Sequence, residues 1–210
     1  MLPKTIQQKL DEGRQYRRVA EIRTDDNDMI VEGYACTFND PYVLFRDGKY
    51  TVREQIDPAA FDEADMGDVI MQYDHEGRVF ARLSNNTLAL EMDDHGLHIR
   101  ADLGGTETGR QLYEEIKGGY TDKMSFGFTV DEDTRSTTED KETGTIDVLR
   151  TITRIRKLYD VSAVSLPANS ATEISARSYG EGVIAELAEE RRKCEEIERQ
   201  KRKLKILLEM

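Results

Sequence analysis

Three histidines in 210 residues, His75, His95 and His98, limit which base could activate a nucleophile. The stretch "TDKMSFGFTV" (121–130) supplies the candidate nucleophile. Read at period two, Met124, Phe126, Phe128 and Val130 point one way, while Ser125, Gly127 and Thr129 point the other, leaving the serine on a face stripped of bulk. A lone strand serine is ordinarily a satisfied core residue. A serine hydroxyl attacks a carbonyl only when a neighbouring base takes its proton and a third group fixes the tautomer of that base. His75 continues the inward series Val69, Met71 and Tyr73 and lands at a strand end, where catalytic groups are commonly presented. Asp160, in "LYDVSAVSLPAN", shares the alternation of Leu158, Ser162 and Val164. A carboxylate on an apolar strand costs several kcal/mol unless it is paired, and His75 is a suitable partner. Other serine templates fit poorly, because Lys123 stands where a nucleophile elbow needs glycine and no Ser-x-x-Lys occurs.

The remaining histidines lie in "DDHGLHIRADL". Leu97, Ile99, Ala101 and Leu103 make its apolar face, so His98 shares the opposite, solvated face with Arg100 and Asp102. His95 sits in a turn beside Asp94. A metal site built from Asp94, His95 and His98, serving a metal-dependent hydrolase, is an alternative, although the spacing matches no established ligand motif. The serine reading needs no metal or organic cofactor.

The elements around these residues are short strands. "MIVEGYACTF" reads as one, "LFRDGKYTVREQI" as a hairpin turning at Asp47-Gly48, "DVIMQYDHEG" as a strand closing at Gly77, and "NTLALEM" with "GLHIRADL" as a second hairpin. Asp57 caps a short helix that begins at Pro58. Thr108 and Gln111 are spaced as a capping box for a helix to Lys117. Residues 131–147, polar and without periodicity, read as an exposed loop or a mobile hairpin tip. These features define a β-rich α+β protein, a closed β-barrel with flanking helices and a C-terminal helical arm. The expected divisions are an N-terminal segment (1–27), a main domain (28–178) and a charged helical tail (179–210). In the tail Val183, Leu187, Cys194, Ile197, Leu204 and Leu208 follow a 3-4 spacing interrupted by Glu190 and Lys201, a weak coiled-coil seam.

Composition excludes several function classes. Forty-two acidic against thirty basic residues give a net charge of −12, which repels phosphate backbones and argues against nucleic acid. Two distant cysteines, Cys36 and Cys194, make neither a disulfide framework nor a zinc site and fit a reducing compartment. No apolar run suits a membrane span or signal peptide, so a soluble intracellular protein is expected.

"VEGYACTFND", "REQIDPAAFDEA", "YDHEGRVFARL", "DDHGLHIRADL", "KMSFGF" and "YDVSAVSLPANSAT" follow in the order found in the tailed-phage prohead proteases. The chain resembles these HK97-type head-maturation proteases, which are similar in fold to herpesvirus assemblin, over residues 28–177. The resemblance implies that Ser125 is the nucleophile and His75 the base. The family's last motif usually reads Glu-Val-Ser where this chain has Asp160-Val161-Ser162, so Asp160 stands as the third member with a side chain one methylene shorter. Assemblin relatives use a second histidine there, which makes His98 or His95 the alternative. A second departure is Ala59, where the family more often has glycine. A backbone amide near Phe126 or Gly127, or Arg154 or Arg156, are the candidate oxyanion donors. The implied activity is a phage-encoded serine endopeptidase, acting in host cytoplasm inside the procapsid. It would cleave the scaffold, the coat-protein extension and itself, with a homodimer or higher oligomer possible. The competing class is a non-catalytic capsid assembly factor that binds scaffold.

Overall fold

The computed structural model describes residues 4–25, 28–164 and 170–208; the Pro-Ala-Asn stretch of the last motif, residues 167–169, lies outside them. In chain order the elements are α1 (Lys4–Asp11), β1 (Gln15–Asp25), β2 (Ile30–Thr37), β3 (Tyr42–Asp47), β4 (Tyr50–Ile56), β5 (Ile70–Tyr73), β6 (Glu76–Arg82), β7 (Leu88–Met92), β8 (Gly96–Asp102), α2 (Glu107–Lys117), β9 (Lys123–Glu139), β10 (Ile146–Val164) and α3 (Ser170–Leu208). The strand order is β3-β4-β10-β9-β1-β2-β8-β7, with β5 joined to β10 and β6 joined to β5.

Two sheets share β1. Its first half pairs with β9, from Gln15 opposite Phe128 to Glu21 opposite Lys123, and its second half pairs with β2 from Ile22 onward. This change of partner turns one sheet onto the other and encloses a single main core. Phe126, Phe128, Leu158 and Val161 reach it from one side and Val31, Leu97, Ile99 and Ala101 from the other, with Phe61 and Leu112 added from the turn at Pro58–Phe61 and from α2. The expected closed barrel is therefore corrected. Among the described residues β3 and β7 end the strand order without pairing to each other, so the β-rich architecture is open.

Several local expectations hold in detail. Asp57 accepts a hydrogen bond from the Ala59 amide at 2.9 Å, with Pro58 opening the 3-10 turn. The β3–β4 hairpin turns through Gly48, whose φ of 53° suits glycine. The cap of α2, however, is Thr106, whose hydroxyl accepts from the Gly109 amide at 2.9 Å, and Thr108 lies inside the helix.

Residues 131–147 form the hairpin alternative rather than a loop, and as a regular ladder. β9 runs on to Glu139 and β10 starts at Ile146, forming an antiparallel ribbon in register from Glu139 opposite Ile146 to Asp133 opposite Ile152. The polar half of β9 has little apolar surface of its own. It is ordered by the backbone ladder to β10, whose Ile146, Val148 and Ile152 carry the burial, while the exposed row of charges suits an edge strand. Helix α3 docks on the neighbouring strands through Val183, which joins Val52, Ile146 and Val148 in a second, smaller core. Gly180 permits this approach, since a Cβ there would stand 2.4 Å from the Phe45 ring. No helix among the described residues is long and apolar enough to cross a membrane.

Candidate active site

β9 and β10 put Ser125 and Asp160 on one face by a break in the expected alternation. Paired residues of antiparallel strands point to the same side. Ser162 lies opposite Ser125 and Asp160 opposite Gly127, whereas Val161 lies opposite Phe126 and Leu158 opposite Phe128. A register shift between Leu158 and Asp160 separates the two sets. Strict alternation would have placed Leu158 beside Asp160. The β-bulge sends Leu158 into the core and turns Asp160 to the serine's face, a re-aiming that bulges commonly perform near functional sites.

His75 arrives from β5, which lies parallel to β10 from Ile70 opposite Asp160 to Tyr73 opposite Ala163. Tyr73 then pairs with Glu76 across a two-residue turn in which Asp74 and His75 have φ values of 49° and 62°. Positive φ at both central positions matches the twist of the flanking strands and is tolerated by aspartate and histidine better than by bulkier residues. The Asp74 amide donates to the Ala163 carbonyl at 3.0 Å. Lys9 of α1 donates to the His75 carbonyl at 2.8 Å.

The imidazole that this turn presents lies between the other two groups. His75 Nε2 is 2.5 Å from Ser125 Oγ, and His75 Nδ1 is 2.5 Å from Asp160 Oδ1. Ser162 Oγ donates to the same Asp160 oxygen at 2.9 Å. Ser125 and His75 are fully buried and Asp160 is 1% exposed. Burial alone would raise the Asp160 pKa. The neighbouring His75 charge and the hydrogen bonds from His75 and Ser162 outweigh it and hold the carboxyl below its ordinary value.

Gly127 makes room for this arrangement: a Cβ there would stand 2.4 Å from Asp160 Oδ2 and 2.8 Å from the Tyr16 ring. Tyr16, opposite Gly127 on β1, packs its ring 4.4 Å from the His75 ring. Burial, then the negative charge of Asp160, push the Tyr16 hydroxyl well up, keeping it protonated. Tyr16, Lys9 and Ser162 had no assigned role in the sequence reading. Ser162 was legible in principle, lying two residues from Asp160 on the same alternation.

The alternative groups lie elsewhere. His95 and His98 belong to the β7–β8 hairpin, with their rings 4.5 and 5.1 Å from that of Tyr34. Asp93 rather than Asp94 organises that turn, accepting from the His95 and Gly96 amides and from the Tyr34 hydroxyl. Among the described residues no group of three or more histidine, cysteine or acidic side chains could hold a metal, so the Asp94–His95–His98 site is not formed. Arg154 and Arg156 are engaged by surface carboxylates, Arg154 by Glu63, Asp131 and Glu132 and Arg156 by Asp131.

A serine hydroxyl, an imidazole and a carboxylate in this order of contact are the arrangement through which serine hydrolases move a proton. The chain belongs to the caudovirus prohead serine protease family, whose model matches residues 18–183 of 210. Membership makes it a serine protease of phage head maturation with capsid proteins as substrates. Compared with curated proteins and with solved structures, the chain matches none. His75, Ser125, Asp160 and Ser162 fall inside the matched segment, whereas Lys9, Tyr16 and most of α3 fall outside it.

Proposed function

We propose that the chain is an endopeptidase of the procapsid interior in which Ser125 is the nucleophile, His75 the general base and Asp160 the orienting carboxylate. The observation that carries this reading is the pair of 2.5 Å contacts made by the two ring nitrogens of His75. With Asp160 ionised, Nδ1 carries the proton and Nε2 is free to accept one. Ser125 Oγ attacks the scissile carbonyl, its proton passes to Nε2, and His75 becomes an imidazolium beside Asp160. The same proton then goes to the leaving amine as the C–N bond breaks, leaving an acyl group on Ser125. A water, deprotonated by His75, releases it. No step calls for a metal or an organic cofactor. Because Ser125 is fully buried, a substrate strand must displace covering groups to reach it, which slows encounter with unintended peptides.

The substrates we propose are scaffolding segments, the extension of the major capsid protein, and the protease chain itself. Co-expression with coat and scaffold proteins, read by intact mass, tests this. Discrete shortened products that vanish in Ser125→Ala are expected. Products that persist in that variant would remove Ser125 from the chemistry, and no products with either chain would remove these substrates.

A further inference from the structure

Helix α3 has 39 residues, a length of about 58 Å at 1.5 Å per residue, and only its first half is docked. Val183 is buried and Leu187 packs beside it. Arg135 pairs with Glu186 at 2.6 Å and Arg191 with Glu139 at 2.8 Å, tying the helix to the polar half of β9. From residue 192 to 205 every side chain is exposed, including Ile197 at 51% and Leu204 at 62%. A free helical extension is marginal in water, and pairs such as Glu198 with Arg202 at 3.6 Å add only a few tenths of a kcal/mol each.

The stripe that continues outward from the half-buried Leu187 is regular. Leu187, Cys194 and Lys201 occupy one core position of a heptad, and Glu190, Ile197 and Leu204 the other. Neither Glu190 nor Lys201 takes part in the ion pairs that α3 makes among the described residues. Laid parallel on a copy of itself, this seam would set Glu190 against Glu190 and Lys201 against Lys201. Laid antiparallel about a twofold axis between Cys194 and Ile197, it sets Glu190 against Lys201 twice, Cys194 against Ile197 twice, and Leu204 at the edge of Leu187. Only the second arrangement neutralises both charged layers while covering the apolar ones. Polar core layers in coiled coils weaken association but fix register and direction.

We propose that the distal half of α3 pairs with the same helix of a second copy of this chain in antiparallel orientation, with Glu190 and Lys201 as its orientation code. The seam is short and carries two charged layers, so the pair is weak when dilute and fills at the high local concentration of a packed shell. It joins two copies at a distance from the triad and needs nothing from the catalytic chemistry.

Sedimentation of the full chain over a wide concentration range gives the first test. A monomer–dimer equilibrium is expected. Glu190→Lys and Lys201→Glu should each weaken it by about tenfold or more, because each substitution creates two like-charged layers. The double variant should return to within a few-fold of the original chain, whereas in a parallel pair each single variant would only exchange one like-charged layer for another and change the affinity little. A chain that stays monomeric throughout, single variants without effect, or a double variant that fails to recover would each overturn the proposal. Crosslinking gives an independent reading. Cys36 is buried and its thiol pushed up to about 12 by that burial, leaving Cys194 as the reactive cysteine. Under mild oxidation Ile197→Cys should crosslink through Cys194 of the second copy and should lose the crosslink when Cys194→Ser is added. Survival of the crosslink in that double variant would mean a parallel helix pair and would sink the antiparallel one.

Discussion

Two buried carboxylates sit on opposite faces of the β9–β10 sheet and are treated in opposite ways. Glu54 accepts from Arg17 Nε at 2.5 Å and Nη2 at 3.1 Å, from Arg150 Nη1 at 2.6 Å and from the Tyr42 hydroxyl at 2.6 Å, so both oxygens are filled. Arg150 continues to Asp133 at 2.6 Å and lies over the Tyr179 ring, linking β4, β9, β10 and α3. Asp160 instead receives both of its hydrogen bonds on Oδ1, and among the described residues Oδ2 has no hydrogen-bond partner. A saturated cluster has one stable charge state and serves as a brace. An unsaturated one, holding a single shared proton path, can stabilise a charge that appears only during reaction. Both are equally buried, so burial does not distinguish a brace from a reaction site; the count of satisfied lone pairs does.

Substitutions on the triad side should give the largest effects and leave the brace intact. Ser125→Ala and His75→Ala are each expected to lower cleavage by about a millionfold, since nucleophile and base act as a unit. Ser125→Ala should leave the urea midpoint little changed, whereas His75→Ala, which strips the buried Asp160 of its partner, should also lower stability by several kcal/mol. Peptide hydrolysis measured beside a denaturation curve separates the two quantities. A collapse of the midpoint in Ser125→Ala would put the serine in the brace class.

Asp160→Asn comes next, with an expected loss of about 10³ to 10⁴ in kcat, because the amide can present its NH₂ to Nδ1 and stabilise the tautomer that cannot accept the serine proton. Near-normal turnover in Asp160→Asn would mean that His75 is oriented by another group.

On the brace side the readout is stability. Glu54→Gln leaves two buried guanidinium groups facing a neutral amide and should cost about 3 to 5 kcal/mol. Turnover per folded molecule should be unaffected. The pH dependence carries the same information. Burial works to raise the Glu54 pKa, but Arg17 and Arg150 outweigh it and bring it from 4.5 to about 2. A depressed carboxylate contributes stability that is full above pH 4.5 and is lost as pH falls through 2. The unfolding free energy should therefore fall over that window by roughly 3 kcal/mol, and Glu54→Gln should flatten this part of the curve. Equal acid slopes in both chains would mean that other carboxylates carry the dependence.

What the sequence makes legible follows the same division. Ser125 and His75 are readable because local rules place them, one by strand alternation and the other by the turn at its strand's end. Asp160 is readable as a residue, but the side to which it points depends on the bulge beside Tyr159, which alternation alone cannot reveal. The brace is invisible, because Arg17, Glu54 and Arg150 are separated by 37 and 96 residues and only the sheet's register gathers them. Strand β1 is hidden for a related reason: "QYRRVAEIR" carries the charges of a surface segment, yet Arg17 is 1% exposed and Tyr16 fully buried. The barrel expectation failed because counting strands does not determine whether the edges meet. The regular order of the polar ribbon at 131–139 was not legible, because it comes from backbone pairing rather than from apolar periodicity.

The smallest predicted effect tests the least conspicuous member of the site. Ser162 is fully buried, lies opposite Ser125 in the ladder, and donates to the Asp160 oxygen that also contacts His75. Its hydroxyl fixes the rotation of the carboxylate, and with it the direction in which Nε2 faces the serine. A hydrogen bond to a charged group contributes about 1.5 to 3 kcal/mol, only part of which differs between ground and transition states. Ser162→Ala should therefore lower kcat roughly tenfold with KM little changed, while Ser162→Thr, which keeps the hydroxyl, should recover most of the loss. Packing alone would make the bulkier threonine the worse variant. The decisive measurement is the double variant with Asp160→Asn. If the hydroxyl works through the carboxylate, its removal should cost almost nothing once that carboxylate is gone. A further tenfold loss would show that Ser162 acts on His75 or on the substrate directly.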